Sequence, residues 1–202
     1  MKYGAVILAA GRGVRFHGTK QDVIFHGKPL WRWPFDLLCE LVDKENIVIV
    51  GKDVAGGNTR TESVKIGLHA IAKNTERVVI VEAARPLVTQ EQLQLLLTET
   101  KPSVSFVMPL VNTVVGRDGR YFNRQDMYEL LTPQAFSYPL LCEAYDHGDF
   151  ADMTDETRVM YEYHGIRPYF IETGQNLFKV TYPRDLAILE SIYQLGKEEN
   201  HD

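Results

Sequence analysis

Apolar and polar positions change period several times along the chain, and those changes mark its elements. Tyr3–Leu8 is an apolar run that gives way abruptly to Ala9-Ala10-Gly11. Such a run reads as a strand buried on both faces. Trp31–Val42 follows Pro29 and carries Trp33, Leu37, Leu38 and Leu41 at helical spacing. Asn46–Val50 is a second short buried strand, stopped by Gly51. Ser63–Ala72 predicts a helix with Val64, Ile66, Leu68 and Ile71 turned inward. Arg77–Val81 is a third strand, Gln90–Thr98 a leucine-rich helix ended by Pro102, and Val104–Pro109 a fourth strand.

The alternation then breaks. Val111–Val115, the turn Gly116-Arg117-Asp118-Gly119 and Arg120–Phe122 read as a hairpin inserted into the alternating order. Helices are expected at Tyr138–Ala144, Thr154–Tyr163 and Pro183–Gln194. Strands are expected at Pro168–Glu172 and Phe178–Val180. Strands alternating with helices predict an α/β fold with an open, mostly parallel sheet. The expected organisation is one domain over residues 1–196, an arm at about residues 110–135 and a polar tail over 197–202.

Composition narrows this little. The chain has 202 residues, 45% hydrophobic and 24% charged, as in ordinary globular proteins. A net charge of −5 argues against a general nucleic-acid binder. No leader-like opening and no long apolar run is present, so no membrane partner is expected and the cytoplasm is the expected compartment. Cys39 and Cys142 are far apart in apolar surroundings and read as free thiols. The six histidines show no metal-ligand spacing.

In open α/β sheets ligands bind beyond the carboxyl ends of the strands. That rule gathers Ala9–Lys20, Gly51–Ser63, Glu82–Pro86 and Pro109–Thr113 around one crevice. After the first strand, Gly11 and Gly13 allow positive φ and close backbone approach. Exposed N–H groups in such a loop suit phosphate, and Arg15 and Lys20 supply charge. The loop matches neither the Walker pattern nor the dinucleotide fingerprint. Taken singly, each piece has a plainer reading. Ser63 can be a helix cap, Arg85 one half of a structural ion pair, Thr132-Pro133-Gln134 a helix-start turn, and Lys179 an edge-strand lysine.

Together the pieces resemble the 2-C-methyl-D-erythritol 4-phosphate cytidylyltransferase family, including the related ribitol-5-phosphate cytidylyltransferases, from about Val6 to Leu189. The matching stretches are Leu8-Ala9-Ala10-Gly11-Arg12-Gly13-Val14-Arg15, Lys20-Gln21, Gly27-Lys28-Pro29, Gly56-Gly57-x-x-Arg60-x-x-Ser63 and Ala83-Ala84-Arg85-Pro86. They continue with Leu131-Thr132-Pro133-Gln134, Thr154-Asp155-Glu156 and Lys179-Val180-Thr181-x-Pro183.

The resemblance implies a Rossmann-like nucleotidyltransferase fold with a protruding β-arm that builds a homodimer. It implies a cytidylyltransferase that uses CTP with Mg²⁺ and a small phosphorylated polyol. Ala9, Ala10, Gly11 and Gly13 would hold the triphosphate. Gly57, Arg60, Ser63 and Ala83 would hold the rest of the nucleotide. Arg15 and Lys20 match the pair that stabilises the transition state, and Arg124 and Lys179 the pair that grips the acceptor phosphate. Glu82, Arg85, Thr113, Thr132 and Thr154 would surround the acceptor, with Glu82 also facing the metal.

The chain departs from the family pattern in places. The segment between Arg15 and Lys20 is shorter than usual, Thr19 replaces a proline, and Asp22 replaces an aromatic. Glu82 and Asn112 replace aspartates. The favoured acceptor is methylerythritol phosphate. The alternatives are ribitol 5-phosphate, another cell-surface polyol phosphate, a phosphonate, or an inactive nucleotide-binding relative.

Overall fold

The computed structural model describes residues 1–150, 153–173 and 177–198. The strands are β1 (Tyr3–Leu8), β2 (Ile24–Phe25), β3 (Lys28–Pro29), β4 (Ile47–Val50), β5 (Arg77–Glu82), β6 (Ser103–Pro109), β7 (Val114–Val115), β8 (Tyr121–Phe122), β9 (Tyr128–Ser137) and β10 (Tyr169–Glu172). The helices are α1 (Arg32–Leu38), α2 (Arg60–Ala70), α3 (Gln90–Thr98), α4 (Tyr138–His147), α5 (Glu156–His164) and α6 (Asp185–Glu198).

The central sheet has the order β10-β6-β9-β5-β1-β4. β1 lies parallel to both β4 and β5, and β10 lies parallel to β6. Only β9 runs the other way, antiparallel to β5 and β6. The fold is therefore Rossmann-like with a mostly parallel sheet.

Alternation within the strands builds two cores. Ala5, Ile7, Val79 and Val81 face one side, where Leu93, Leu96 and Leu97 of α3 cover them. Val6, Val78 and Ile80 face the other, under Val64 and Leu68 of α2 and Leu141 of α4. A Cβ on Gly67 would come within 2.4 Å of Val6 Cγ1, so a hydrogen at that position sets how closely α2 packs on β1. A third, smaller cluster joins Phe25 and Leu30 to Val180 and Leu189, and so fixes the C-terminal segment beside the front of the sheet.

Several expectations change. The sequence pattern does not predict β9. Residues 128–135, expected in the arm, belong largely to a strand at the centre of the sheet, and Thr132-Pro133-Gln134 lies within it rather than at a helix start. Pro133 and the preceding polar turn disguise a strand whose partners are distant in sequence. Its Thr132–Pro133 peptide bond is cis. Phe178–Val180 forms no strand; its one ladder-like bond runs from Val180 N to Ala84 O at 2.9 Å. α1 ends at Leu38, beyond which Glu40 and Leu41 donate to the carbonyls three residues back. α2 begins at Arg60 because Thr59, not Ser63, caps it, accepting from Glu62 N at 3.0 Å. The tail expected over 197–202 begins inside α6, and its residues from 199 lie outside the described part. Among the described residues no helix is long and apolar enough to cross a membrane. Both cysteines are free and half-buried.

Candidate active site

An open cleft of about 330 Å³ lies beyond the carboxyl ends of β1 and β5. Leu8, Ala9, Ala10, Gly11 and Arg12 form one wall, Gly57, Asn58, Thr59, Arg60 and Ser63 a second, and Glu82, Ala83 and Ala84 the floor. Lys20, Gln21 and Lys179 close the remaining side. Three of the four strand-end segments expected to meet therefore do so. Pro109–Thr113 does not, because β9 separates β6 from β5 and moves its end away from the cleft.

The first loop is shaped by Gly13, which sits at φ 59°. A Cβ there would fall 1.8 Å from Gly18 O, so the turn admits no side chain. Gly11 differs from expectation: its φ is not positive, and a Cβ would meet nothing within 4 Å. Its role is to leave open space at the cleft wall. Opposite, Gly57 N donates to Ser63 Oγ at 3.1 Å, and Ser63 Oγ donates to Thr59 O at 2.9 Å. The second loop is thus tied to the first turn of α2.

Charges alternate across the cleft. Glu82 Oε1 accepts from Arg60 Nε at 3.4 Å, and Oε2 pairs with the ammonium of Lys179. Burial works to raise the Glu82 carboxyl, but Lys179 and Arg60 overcome it and hold the group down at about 2. Arg60 is anchored from behind by Glu156, with Nη1 and Nη2 donating to Oε1 and Oε2 at 2.5 and 2.8 Å. Although burial opposes its charge, Glu156 holds the Arg60 guanidinium above its ordinary value. Lys20 Nζ donates to Val180 O at 2.9 Å. Burial first, then repulsion from Lys179, lowers the Lys20 ammonium below its ordinary range. Lys20 is therefore a cation kept in the cleft at an electrostatic cost, as expected where an anion is to be received.

Other residues singled out in the sequence lie elsewhere. Arg15 is exposed, with its guanidinium 5.8 Å from the centre of the Tyr182 ring. Arg85 is buried behind the cleft, donating to Thr132 Oγ1 at 2.9 Å and to Leu177 O. Both Arg85 and Thr132 thus have structural partners. Thr113 and Arg124 are exposed on the β7–β8 arm, where Arg124 donates to Val111 O. Thr154 is exposed just before α5. Sequence reasoning missed Arg12, Gln21, Asn58 and Thr59 as wall residues, although each adjoins a residue it named. Glu156 stands out in the sequence only as part of a motif, since its partner Arg60 is remote in sequence.

Comparison with known proteins follows the same outline. Residues 4–194 match the family model for 2-C-methyl-D-erythritol 4-phosphate cytidylyltransferase. The chain is 31% identical over 212 residues to the protein of that name from Haemophilus influenzae (strain PittGG), covering 92% of this chain and 94% of that protein. It is 29% identical over 228 residues to the one from Clostridium botulinum (strain 657 / Type Ba4), covering 96% and 98%. The crystal structure of the Thermus thermophilus protein of the same name shares the fold, with TM-score 0.77 and 22% identity over 96% of this chain and 100% of that one. The 4-diphosphocytidyl-2C-methyl-D-erythritol synthase of Anaerococcus prevotii does likewise, with TM-score 0.79 and 21% identity over 96% and 98%. With a glycine-walled, cation-lined cleft at the strand ends and a family match spanning almost its whole length, the chain belongs to the 2-C-methyl-D-erythritol 4-phosphate cytidylyltransferase family.

Proposed function

We propose that this protein transfers the cytidylyl group of CTP to 2-C-methyl-D-erythritol 4-phosphate, releasing pyrophosphate. The observation that carries the reading is the cleft itself, where a glycine wall faces Lys20 and Lys179 at the ends of β1 and β5. The backbone of Ala9, Ala10, Gly11 and Gly13, with Arg12 beside it, receives the triphosphate. Gly57, Ser63 and Ala83 receive the nucleoside.

The acceptor is a phosphate monoester with a second pKa of about 6, so at neutral pH it is largely a dianion. It attacks the α-phosphorus in line, and the bond from the α-phosphorus to the bridging oxygen of pyrophosphate breaks. No general base is required. The protein must align two anions and offset their repulsion. Lys20, with Arg15 swung in from Tyr182, neutralises the α-phosphate and the leaving pyrophosphate. Lys179 receives the acceptor phosphate, exchanging Glu82 for it.

Mg²⁺ would be held by the phosphates of CTP, where it would offset part of their charge. The donors present do not suit a resident ion. Both oxygens of Glu82 are engaged by cations, and no group of three His, Cys, Asp or Glu able to hold a metal occurs among the described residues.

The chain acts as a single nucleotidyltransferase domain whose arm serves a second copy. Val111, Val115, Tyr121 and Phe122 are exposed on the arm, Tyr121 to 80%. Apolar side chains gathered on one projection mark a contact surface, and a homodimer would cover them. Thr113 and Arg124 would then act in the neighbouring copy's cleft. The test is pyrophosphate release with CTP and Mg²⁺, comparing methylerythritol phosphate with ribitol 5-phosphate, glycerol 3-phosphate and 2-aminoethylphosphonate. Turnover with the first, lost in Lys179→Ala, is the expected result. Turnover only with another acceptor would replace the substrate in this reading.

A further inference from the structure

Three motifs far apart in sequence meet behind the cleft in one polar network that the reaction itself does not call upon. Glu156, the first residue of α5, is 1% exposed. Its two oxygens hold both terminal nitrogens of Arg60, and Oε1 also accepts from the buried Tyr145 hydroxyl at 3.2 Å. The start of α5 is itself pinned. Asp155 caps it by accepting from Thr157 N at 2.8 Å, and its other oxygen accepts from Gln134 Nε2 of β9 at 2.7 Å. Gln134 Nε2 in turn donates to Ser105 Oγ of β6 at 3.1 Å. Glu156 is thus fixed to the centre of the sheet.

The consequence lies on the cleft side. Arg60 reaches Glu82 with the one nitrogen that Glu156 leaves unused, and the second oxygen of Glu82 reaches Lys179. Charges therefore alternate along a line of four side chains: Glu156, Arg60, Glu82 and Lys179. With both terminal nitrogens bound to a buried carboxylate, Arg60 acts as a strut and not as a free anion grip. We propose that Glu156 is a positioning residue that holds Arg60 in place and, through it, sets where Glu82 presents Lys179 to the incoming acceptor phosphate. The inference deepens the cytidylyl-transfer reading and rests on it for the identity of the acceptor.

The two possible roles of Glu156 leave opposite traces. A merely structural glutamate, once neutralised, loosens the site and weakens nucleotide binding and turnover together. A positioning glutamate, once neutralised, leaves Arg60 charged and drawn onto Glu82. The cleft becomes more positive, so anion affinity holds or improves while alignment is lost.

The experiment compares the wild type with Glu156→Gln, Arg60→Gln and the double variant, at a temperature where all are folded. CTP affinity is measured calorimetrically with Mg²⁺, and turnover by pyrophosphate release with methylerythritol phosphate. Arg158→Ala, on an exposed position of α5, controls for disturbance of that helix. For Glu156→Gln the expected result is a loss of turnover of tenfold or more, with the CTP Kd unchanged within threefold or tightened. The double variant should match Arg60→Gln within twofold. That comparison stands even if Glu156→Gln alone does not fold, because the double variant buries no unpaired charge.

Parallel loss of affinity and turnover, wild-type turnover in Glu156→Gln, or a further tenfold loss in the double variant would each overturn the proposal. Should the wild type turn over none of the acceptors, the functional reading fails separately. The strut is then read without ligand from hydrogen exchange at Arg60 Nη1 and Nη2, the two nitrogens that Glu156 holds. Protection in the wild type and loss of it in Glu156→Gln supports the proposal, and equal protection in both overturns it.

Discussion

Glu82 and Lys179 form an ion pair within the cleft, Glu82 on its floor at the end of β5 and Lys179 on its closing side from the segment leading into α6. The pair joins the sheet to the C-terminal part of the chain at the point where the proposed reaction would bring two anions together. Its carboxylate titrates at about 2 in place of 4.5.

The sign of the resulting pH dependence follows from linkage. A depressed carboxyl contributes stability that is present above its ordinary pKa and lost as pH falls through the folded value. Glu82 should therefore contribute fully above about pH 4.5 and lose its contribution towards pH 2. The difference corresponds to roughly 3 kcal/mol. Lys179→Met removes the first of its cationic partners, so the Glu82 midpoint should move up towards 4.5. Carboxyl-carbon titration by NMR measures this directly, and an unmoved midpoint would count against the pair.

Lys20 behaves in the opposite sense. Burial, then Lys179, lowers its ammonium, so its charge works against the free fold at neutral pH. That cost fades as pH rises through the depressed pKa towards the ordinary value. A bound triphosphate reverses the balance by supplying negative charge. CTP binding should therefore be accompanied by proton uptake above neutral pH. Calorimetry in buffers of different ionisation enthalpy reads the uptake, which should disappear in Lys20→Met. Lys20→Ala should slow turnover by a factor of about 10²–10³, the usual scale for losing one group that stabilises developing charge.

The two glycines of the first loop should separate folding from binding. Gly13→Ala forces a Cβ against Gly18 O at positive φ, so the loop must rebuild. Gly11→Ala meets nothing in the free protein. Thermal melting should register a loss for Gly13→Ala and almost none for Gly11→Ala. CTP affinity should fall tenfold or more in both, because the Gly11 methyl group would occupy space meant for phosphate. Wild-type affinity in Gly11→Ala would show that the phosphates lie elsewhere.

The arm gives a separate test. If the arm joins two copies as proposed, the wild type should sediment as a dimer and Tyr121→Asp with Val111→Asp as a monomer, without a fall in melting temperature beyond the change owed to dimerisation. If the arm completes a neighbouring site, the monomer should lose turnover while still binding CTP. A wild type that sediments as a monomer at high concentration would remove the arm from the mechanism.

The parts legible in the sequence are those written locally. Tyr3–Leu8 running into Ala9-Ala10-Gly11 announces a buried strand that ends at the cleft wall, and Arg77–Glu82 does the same for Ala83. Lys20, Arg60 and Lys179 can be placed because each sits close to such an end or within a stretch the family shares. β9 is hidden because its partners β5 and β6 lie far back in the chain and Pro133 mimics a turn. That one strand also displaces Pro109–Thr113 from the cleft. Arg85 and Thr132 are drawn towards the acceptor by their neighbours in sequence, but burial turns them to one another. Glu156 gives no local sign of its task, because an acidic residue in the first turn of a helix is common and its partner Arg60 lies on another helix.

The most direct measurement is pyrophosphate release by the purified protein with CTP, Mg²⁺ and 2-C-methyl-D-erythritol 4-phosphate, with ribitol 5-phosphate as the competing acceptor. The account predicts turnover with the methylerythritol substrate, favoured over ribitol 5-phosphate and abolished by Lys179→Ala while CTP still binds. CTP binding without pyrophosphate release from any phosphorylated polyol would contradict it.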